Sequence, residues 1–229
     1  MLTLILILIP LLSAIIVLLA GNKNAAKSAL VLSCVQLVAT IWVWSNFQNG
    51  GGTQFLLDRW WVESLGISLK VGMDGISLLL IILTNFLVPL IILSSFKTSY
   101  NNASAFYALI LFMQFALVGV FASLDAFLFY VFWELALIPI YFICLIWGGE
   151  NKAKITLKFF IYTLAGSLIM LLAIIYLYLQ TPAPHSFDIS VLYNIALSST
   201  EQQFIFWAFF LAFAIKMPIF PLHTWQPDT

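Results

Sequence analysis

Long apolar runs separated by short polar segments dominate the chain and predict a bundle of membrane-spanning helices. At about 1.5 Å per residue, the runs are long enough to cross a hydrocarbon core of about 30 Å. The predicted helices are Leu2–Ala20, Ser28–Ser45, Ile76–Phe96, Ala103–Leu124, Asp125–Trp147, Ile155–Leu179 and Phe204–Trp225. The first run is also compatible with a signal peptide, but no Lys or Arg precedes it, which favours a retained helix. We therefore predict an all-α membrane protein with about seven transmembrane helices.

The polar connection 46–75 contains the one segment with a different period. Ile67, Leu69, Val71 and Met73 alternate with less apolar residues, which is typical of a strand. Together with 54–62 and a turn at 64–66, this segment predicts a small β-hairpin on the membrane surface. Asp74 follows it at the start of the third helix. A helix cap is the favoured interpretation of that carboxylate over a role in transport.

Composition agrees with a membrane protein and excludes several functions. The chain is 63% hydrophobic and 8% charged, with a net charge of zero and a mean hydropathy of +1.09. No basic patch favours nucleic acid as a partner. Cys34 and Cys144 stand alone inside apolar segments, so cysteine-ligated zinc or iron–sulfur sites are excluded for this chain, and no cofactor or metal site is predicted.

The seventh run carries the least expected residues. Lys216 lies within it, and Pro218 and Pro221 follow directly. Insertion of a lysine at the bilayer centre costs about 2.5–3.5 kcal/mol, so such residues usually face a protein interior or a water-filled path. Because proline has no N–H, Pro218 leaves the carbonyl of Ala214 without its helical partner. We predict a helix broken at 216–221 around an ionisable residue, with the titratable His223 soon after.

Glu134 is the second ionisable residue within an apolar run. Pro139, five residues further on, removes the helical partner of the Leu135 carbonyl and predicts a bend beside the acid. Two interpretations stand: a proton relay, which is favoured for intramembrane carboxylates, or a protonated glutamate that hydrogen-bonds another helix. Lys158, near the start of the sixth helix, either extends to the interface or enters a hydrophilic channel.

Basic residues in alternate loops indicate an orientation. The loops after the first, third and fifth helices contain Lys23, Lys27, Lys97, Lys152 and Lys154, whereas the other loops contain Arg59 and Lys70. By the positive-inside rule the first set is cytoplasmic, which places the N-terminus and the hairpin outside. Glu134 and Lys216 then lie at intermediate depth in the membrane.

His185 falls in a polar loop and is predicted to be solvated.

Three stretches carry a resemblance to a known family. They are VGMDGISLL (Val71–Leu79), WELALIPIYFICLIWGG (Trp133–Gly149) and AFAIKMPIFPLHTWQPD (Ala212–Asp228). They resemble the M-type, or chain 4, antiporter-like membrane subunit of proton-pumping NADH:quinone oxidoreductase, respiratory complex I. The L-type, N-type and Mrp antiporter subunits share the glutamate and lysine plan but differ around KMPIFPLHTW.

The resemblance implies a function and its residues. Glu134 and Lys216 would form the central charged pair of a proton half-channel, His223 would lie on the onward path, and Lys158 corresponds loosely to a channel residue. It also implies that NADH, FMN, iron–sulfur clusters and quinone belong to partner subunits, with L-type and N-type chains as membrane neighbours. The location would be a bacterial inner membrane.

Family members have about fourteen helices built as two inverted repeats. The chain would then comprise three N-terminal helices with the hairpin (1–102) and an incomplete first repeat (103–229), and we expect a fragment of a longer protein. Two alternatives stay open. One is a subunit of a cation/proton antiporter or membrane-bound hydrogenase, and the other is a non-transporting structural fragment.

Overall fold

Helices make up most of the computed structural model, which describes residues 1–48 and 50–227. The helices and strands are α1 (Leu2–Ala20), α2 (Ala25–Ser45), β1 (Gln54–Val62), β2 (Ile67–Met73), α3 (Gly75–Ser94), α4 (Ala103–Ala122), α5 (Ala126–Leu135), α6 (Leu137–Trp147), α7 (Lys152–Gln180), α8 (Ile189–Leu192) and α9 (Ser199–Lys216). The predicted bounds of α1 and of the hairpin strands agree with this order. The second and sixth predicted helices begin three residues earlier than expected, at Ala25 and Lys152.

Six helical segments in the described part of the chain are long and apolar enough to cross a membrane. They are α1, α2, α3 with its following turn, α4, the α5–α6 pair taken as one span, and α7. The eighteen residues of α9 are not among them, because its first turn is polar and Lys216 is its last residue. A seventh crossing therefore stays a prediction. The chain is an integral, multi-pass membrane protein.

The central helix of the bundle is α4, which packs against α1, α2, α3, α5 and α6. On the other side, α7 packs against α9, α6 and α5. Gly166 permits the closest approach of α7 to α9, because a Cβ atom there would lie 2.9 Å from Ile215 Cδ1 and 3.4 Å from the Cα atom of Ala212. The absence of a side chain at Gly166 thus sets the distance between the helix that carries Lys216 and its neighbour.

A chain of buried polar side chains links the first four helices. Gln114 Nε2 donates to Asn85 Oδ1 at 2.8 Å, and Asn85 Nδ2 donates to Thr40 Oγ1 at 2.7 Å. Thr40 donates to the carbonyl of Gln36 in its own helix, and Gln36 Nε2 donates to the carbonyl of Leu6 at 2.9 Å. All four side chains are at most 1% exposed. Hydrogen bonds across apolar helices fix their relative rotation, because an amide in hydrocarbon needs a partner.

The predicted β-hairpin is confirmed. Strands β1 and β2 pair antiparallel, with Leu57 opposite Val71 and Arg59 opposite Leu69. A short 3₁₀ turn joins them and ends at Gly66, whose φ of 63° lies in the left-handed region that favours glycine. Asp74 caps α3 through a reciprocal capping box with Ser77, as the cap interpretation requires. The Ser77 N–H holds the pKa of Asp74 below its usual range.

The hairpin is tied to the start of α5 and to the segment before α8. Asp125 is fully buried and accepts hydrogen bonds at 3.0 Å from the backbone N–H groups of Ser68, Phe127 and Leu128. Burial raises the pKa of Asp125, and these donors oppose the rise because they bind the ionised form. Lys70 on β2 forms an ion pair with Asp188 and a longer one with Asp58, at 3.7 Å.

Two predictions about this region and the fifth helix need correction. His185 is half-buried rather than solvated, because its Nδ1 atom lies 2.8 Å from the carbonyl oxygen of Thr181 and its ring packs against Tyr178. The predicted helix over 125–147 is two helices, since α5 ends at Leu135 and α6 begins at Leu137. Ala136 between them keeps right-handed helical dihedral angles, with φ −66° and ψ −23°, so the bend near Pro139 stays a prediction.

Candidate functional site

The C-terminal end of α9 fixes the backbone position of Lys216. The helix begins with a capping box between Ser198 and Glu201 and ends at Lys216, and turns rather than a resumed helix follow to Pro227. The prediction of a freed Ala214 carbonyl is confirmed, and its new partner is the N–H of Ile219, at 2.9 Å. The Trp225 indole N–H donates to the carbonyl of Ile215, also at 2.9 Å. Protein groups thus satisfy both acceptors, as a membrane interior requires.

Glu134 also lies at a helix end, one residue before the last residue of α5. Ala136 follows α5 with right-handed helical dihedral angles, and its N–H donates to the carbonyl of Phe132 at 3.1 Å. Pro139 occupies the first turn of α6, where a missing N–H is tolerated because that group has no helical partner. Glu134 is half-buried, as is Lys216. Both ionisable residues therefore lie at or next to the last residue of a helix, α9 for Lys216 and α5 for Glu134.

The Lys216 ammonium group lies over an aromatic ring. Its Nζ atom is 4.8 Å from the centroid of the Trp133 ring, within the range of a cation–π contact. The charge of Glu134 acts on the same ammonium group. In residues 1–48 and 50–227, however, the ion pairs within 4.0 Å all involve Lys70. Glu134 and Lys216 are thus brought near each other without direct contact.

Tyr130, which the sequence alone did not single out, precedes Glu134 by four residues on α5, so the two share a helix face. The Ser167 side chain of α7 lies near the Tyr130 hydroxyl group. The spacing of four was the available signal, because residues i and i+4 are neighbours on a helix.

Lys158 contacts the segment that follows Lys216. Its ammonium group donates to the backbone carbonyl of Thr224, whose hydroxyl donates to Tyr162 Oη at 3.2 Å. The Phe159 ring packs against Trp225 with centroids 5.0 Å apart. One face of α7 thus supports the turns that contain His223, and Lys158 belongs to that contact.

His223 is half-buried, and its ring packs against Phe220 at 5.5 Å between centroids. Its Nδ1 atom is buried and has no hydrogen-bond partner among the described residues. No hydrogen bond within that part of the chain joins His223 to Lys216. Asp228, the last residue of the quoted motif, and the following Thr229 lie outside the described residues.

Metal-ligating side chains do not cluster in the described residues, where no group of three or more His, Cys, Asp or Glu could hold a metal ion. Cys34 is exposed and Cys144 is half-buried, and both are free thiols. Glu134 and Lys216 are ionisable side chains that lie half-buried near the ends of apolar helices. Their chemistry is proton binding and release.

The chain is similar to known membrane proteins. Residues 123–229 match the family "NADH:quinone oxidoreductase/Mrp antiporter, TM". The chain is 36% identical over 233 residues to NADH-quinone oxidoreductase subunit M of Rickettsia conorii, covering 97% of this chain and 47% of that protein. It is 39% identical over 232 residues to F(420)H(2) dehydrogenase subunit M of Methanosarcina mazei, again covering 97% of this chain and 47% of that protein.

A solved structure shows the same fold. A chain of respiratory complex I from Thermus thermophilus with bound NADH superposes with a TM-score of 0.87 at 29% identity, over 100% of this chain and 46% of that one. The chain therefore spans about half the length of the relatives it matches. The resemblance to the M-type subunit is confirmed, and residues 123–229 carry the NADH:quinone oxidoreductase/Mrp antiporter membrane domain.

Proposed function

We propose that this chain is a proton-translocating membrane subunit of an NADH:quinone oxidoreductase, with Glu134 and Lys216 as its proton carriers. The observation that carries the proposal is the position of the Lys216 ammonium group. It lies 4.8 Å from the Trp133 ring of α5, in the field of Glu134, at the last residue of α9. Intramembrane ionisable residues are costly and mark ion or proton paths by default. The relationship to a subunit named NADH-quinone oxidoreductase subunit M supports this assignment.

The two residues exchange protons by changing their distance. When the ammonium group approaches the Glu134 carboxylate, each charge stabilises the other, and both ionised forms are favoured. When they separate, burial disfavours both charges, so Lys216 releases a proton and Glu134 takes one up. Among the described residues no ion pair within 4.0 Å joins Glu134 and Lys216, which supports a separated state of the pair.

His223 and Lys158 extend the path on one side. The turns after Lys216 hold His223, whose buried Nδ1 atom can accept a proton or a water hydrogen bond. Lys158 fixes the same turns through the Thr224 carbonyl. We assign His223 to onward transfer of the proton from Lys216. We assign Lys158 either to positioning the turns that contain His223 or to the entrance of the proton path.

The assembly around the chain follows from the same proposal. The redox groups, namely NADH, FMN, iron–sulfur clusters and quinone, belong to partner subunits, and the membrane neighbours are L-type and N-type antiporter-like chains. The membrane is a bacterial inner membrane, with the N-terminus and the hairpin outside. Residues 1–102 form a supporting unit, and residues 103–229 form the incomplete first repeat of the channel.

The role proposed for this chain does not depend on which electron donor the complex uses. The relatives include both an NADH-quinone oxidoreductase subunit and an F(420)H(2) dehydrogenase subunit at similar identity. The assignment of Glu134 and Lys216 is the same for both, because electron input takes place in other subunits.

Charge-removing variants test the proposal in inverted membrane vesicles that contain the assembled complex. Glu134→Gln and Lys216→Ala are expected to lower NADH-driven proton pumping by at least about ten-fold, which corresponds to about 1.4 kcal/mol. Lys154→Ala is the matched control, because Lys154 is exposed in the first turn of α7. Normal pumping by both test variants, with assembly confirmed by native electrophoresis, would refute the proposal and favour a structural role.

A further inference from the structure

The aromatic ring next to Lys216 is held from two sides. Trp133 contacts Phe213 of α9 edge to face, with centroids 5.4 Å apart, and Phe129 of α5 at 5.8 Å. Phe213 precedes Lys216 by three residues on α9, so both side chains lie on one face of that helix and both approach the Trp133 ring. The orientation of the Trp133 ring is therefore fixed by packing, and it presents its face to the Lys216 ammonium group.

A ring face of this kind attracts an ammonium group because the centre of the ring carries negative potential. Among the three aromatic residues, tryptophan has the strongest attraction, and the attraction grows as water is excluded. Lys216 is half-buried, and its Nζ atom lies 4.8 Å from the ring centroid. The ammonium group thus has a resting place other than the Glu134 carboxylate.

We propose that Trp133 is a positioning residue that holds the protonated Lys216 side chain apart from Glu134. The inference rests on the proposed function, because it concerns the same lysine. Lys216 then has two favourable positions, one on the ring and one beside the carboxylate. Because the neutral ring stabilises the ammonium charge less than the carboxylate does, movement from the carboxylate to the ring favours release of the proton. Without the ring, the ammonium group loses its position apart from Glu134, and the cycle slows.

Other ionisable groups lie around these positions. On α5 they are Glu134 and Tyr130, and on α7 they are Lys158 and Tyr162, which contact the terminal turns. In those turns, His223 is the remaining one among the described residues. The substitutions below leave all five side chains unchanged, so any effect comes from the ring.

A substitution series tests the inference in vesicles with the assembled complex. Trp133→Leu is expected to lower proton pumping about five-fold or more, the factor that corresponds to a contact of about 1 kcal/mol. Trp133→Phe and Trp133→Tyr are expected to restore part of the rate, because they keep a ring. Trp207→Leu, at an exposed tryptophan of α9, is the control and is expected to pump normally.

Fluorinated tryptophans at position 133 separate electrostatics from packing. Each added fluorine weakens the negative potential of the ring face with little change in shape, so pumping is expected to fall stepwise along the series. Equal pumping across the series, or normal pumping by Trp133→Leu, would overturn the inference. Lys216→Ala in the same assay distinguishes the two claims: loss of pumping there keeps the proposed function, whereas normal pumping refutes that function and the inference with it.

Discussion

Asn85 links three helices through one side chain, and its removal should destabilise the bundle by a predictable amount. It donates to Thr40 of α2 at 2.7 Å and accepts from Gln114 of α4 at 2.8 Å, at 0% exposure. Asn85→Leu conserves most of the volume but removes both hydrogen bonds. Gln114 Nε2 then loses its acceptor, and the Thr40 hydroxyl loses a donor.

The size of the effect follows from those two losses. A buried group left without its partner costs about 1–3 kcal/mol in soluble proteins. Polar contacts between membrane helices average about 0.6 kcal/mol and reach about 1.7 kcal/mol. For two contacts we expect a decrease of about 1–3 kcal/mol in the free energy of unfolding, or about 5- to 150-fold in the folding equilibrium.

Unfolding of the chain by SDS titration in mixed micelles measures this decrease. Thr84→Val is the matched control, because Thr84 is adjacent and only half-buried, and its hydroxyl donates to the carbonyl of Leu80 in its own helix. The double variant Asn85→Leu/Gln114→Leu should lose less than the sum of the single variants, since it leaves fewer groups unpaired. An Asn85→Leu variant as stable as Thr84→Val would contradict the assigned role of the network.

Three further predictions concern the helix contact, the hairpin and the turns after Lys216. Gly166→Leu should lower both stability and proton pumping, because a side chain there forces α7 and α9 apart, whereas Ala165→Leu on the exposed face should leave both unchanged in the same assays. Burial raises the pKa of Asp188, but hydrogen bonds from Lys70 and Ser190 outweigh it and lower the pKa overall. The stability it contributes is therefore present above the usual carboxyl pKa and lost as pH falls through the lowered value. Between about pH 5 and pH 3, Asp188→Asn should lose less stability than the wild type in thermal unfolding. Trp225→Phe keeps the ring but removes the indole donor, so amide hydrogen exchange after Lys216 should accelerate, and an unchanged rate would contradict that contact.

The elements that the sequence predicted well are those with a strong local period. Apolar runs set the bounds of α1, and the alternation from Ile67 to Met73 set β2, because both patterns reflect burial of one face within a single segment. A bend near Glu134 was predicted from Pro139. The division into two helices, α5 and α6, was not predicted. A missing N–H can either bend or break a helix, and the surrounding packing decides which.

Side-chain contacts between different helices could not be predicted from the sequence. Gln36, Asn85 and Gln114 are isolated polar residues in three helices, and only the rotation of those helices brings them together. The contact between Trp133 and Lys216 likewise depends on how α5 faces α9. The ionisable residues themselves were identified from the sequence, since charges inside apolar runs are rare, but the aromatic ring near Lys216 looked like any other apolar side chain.

The proton-to-electron ratio of the assembled complex tests the central claim most directly. It is measured in vesicles, with NADH oxidation and proton uptake recorded together, for the wild type and for Lys216→Ala. If Lys216 carries protons, the variant complex assembles and shows one of two defects. Either its proton-to-electron ratio falls, or NADH oxidation and proton uptake slow together. An unchanged ratio at an unchanged rate would contradict the assignment of proton transport to Glu134 and Lys216.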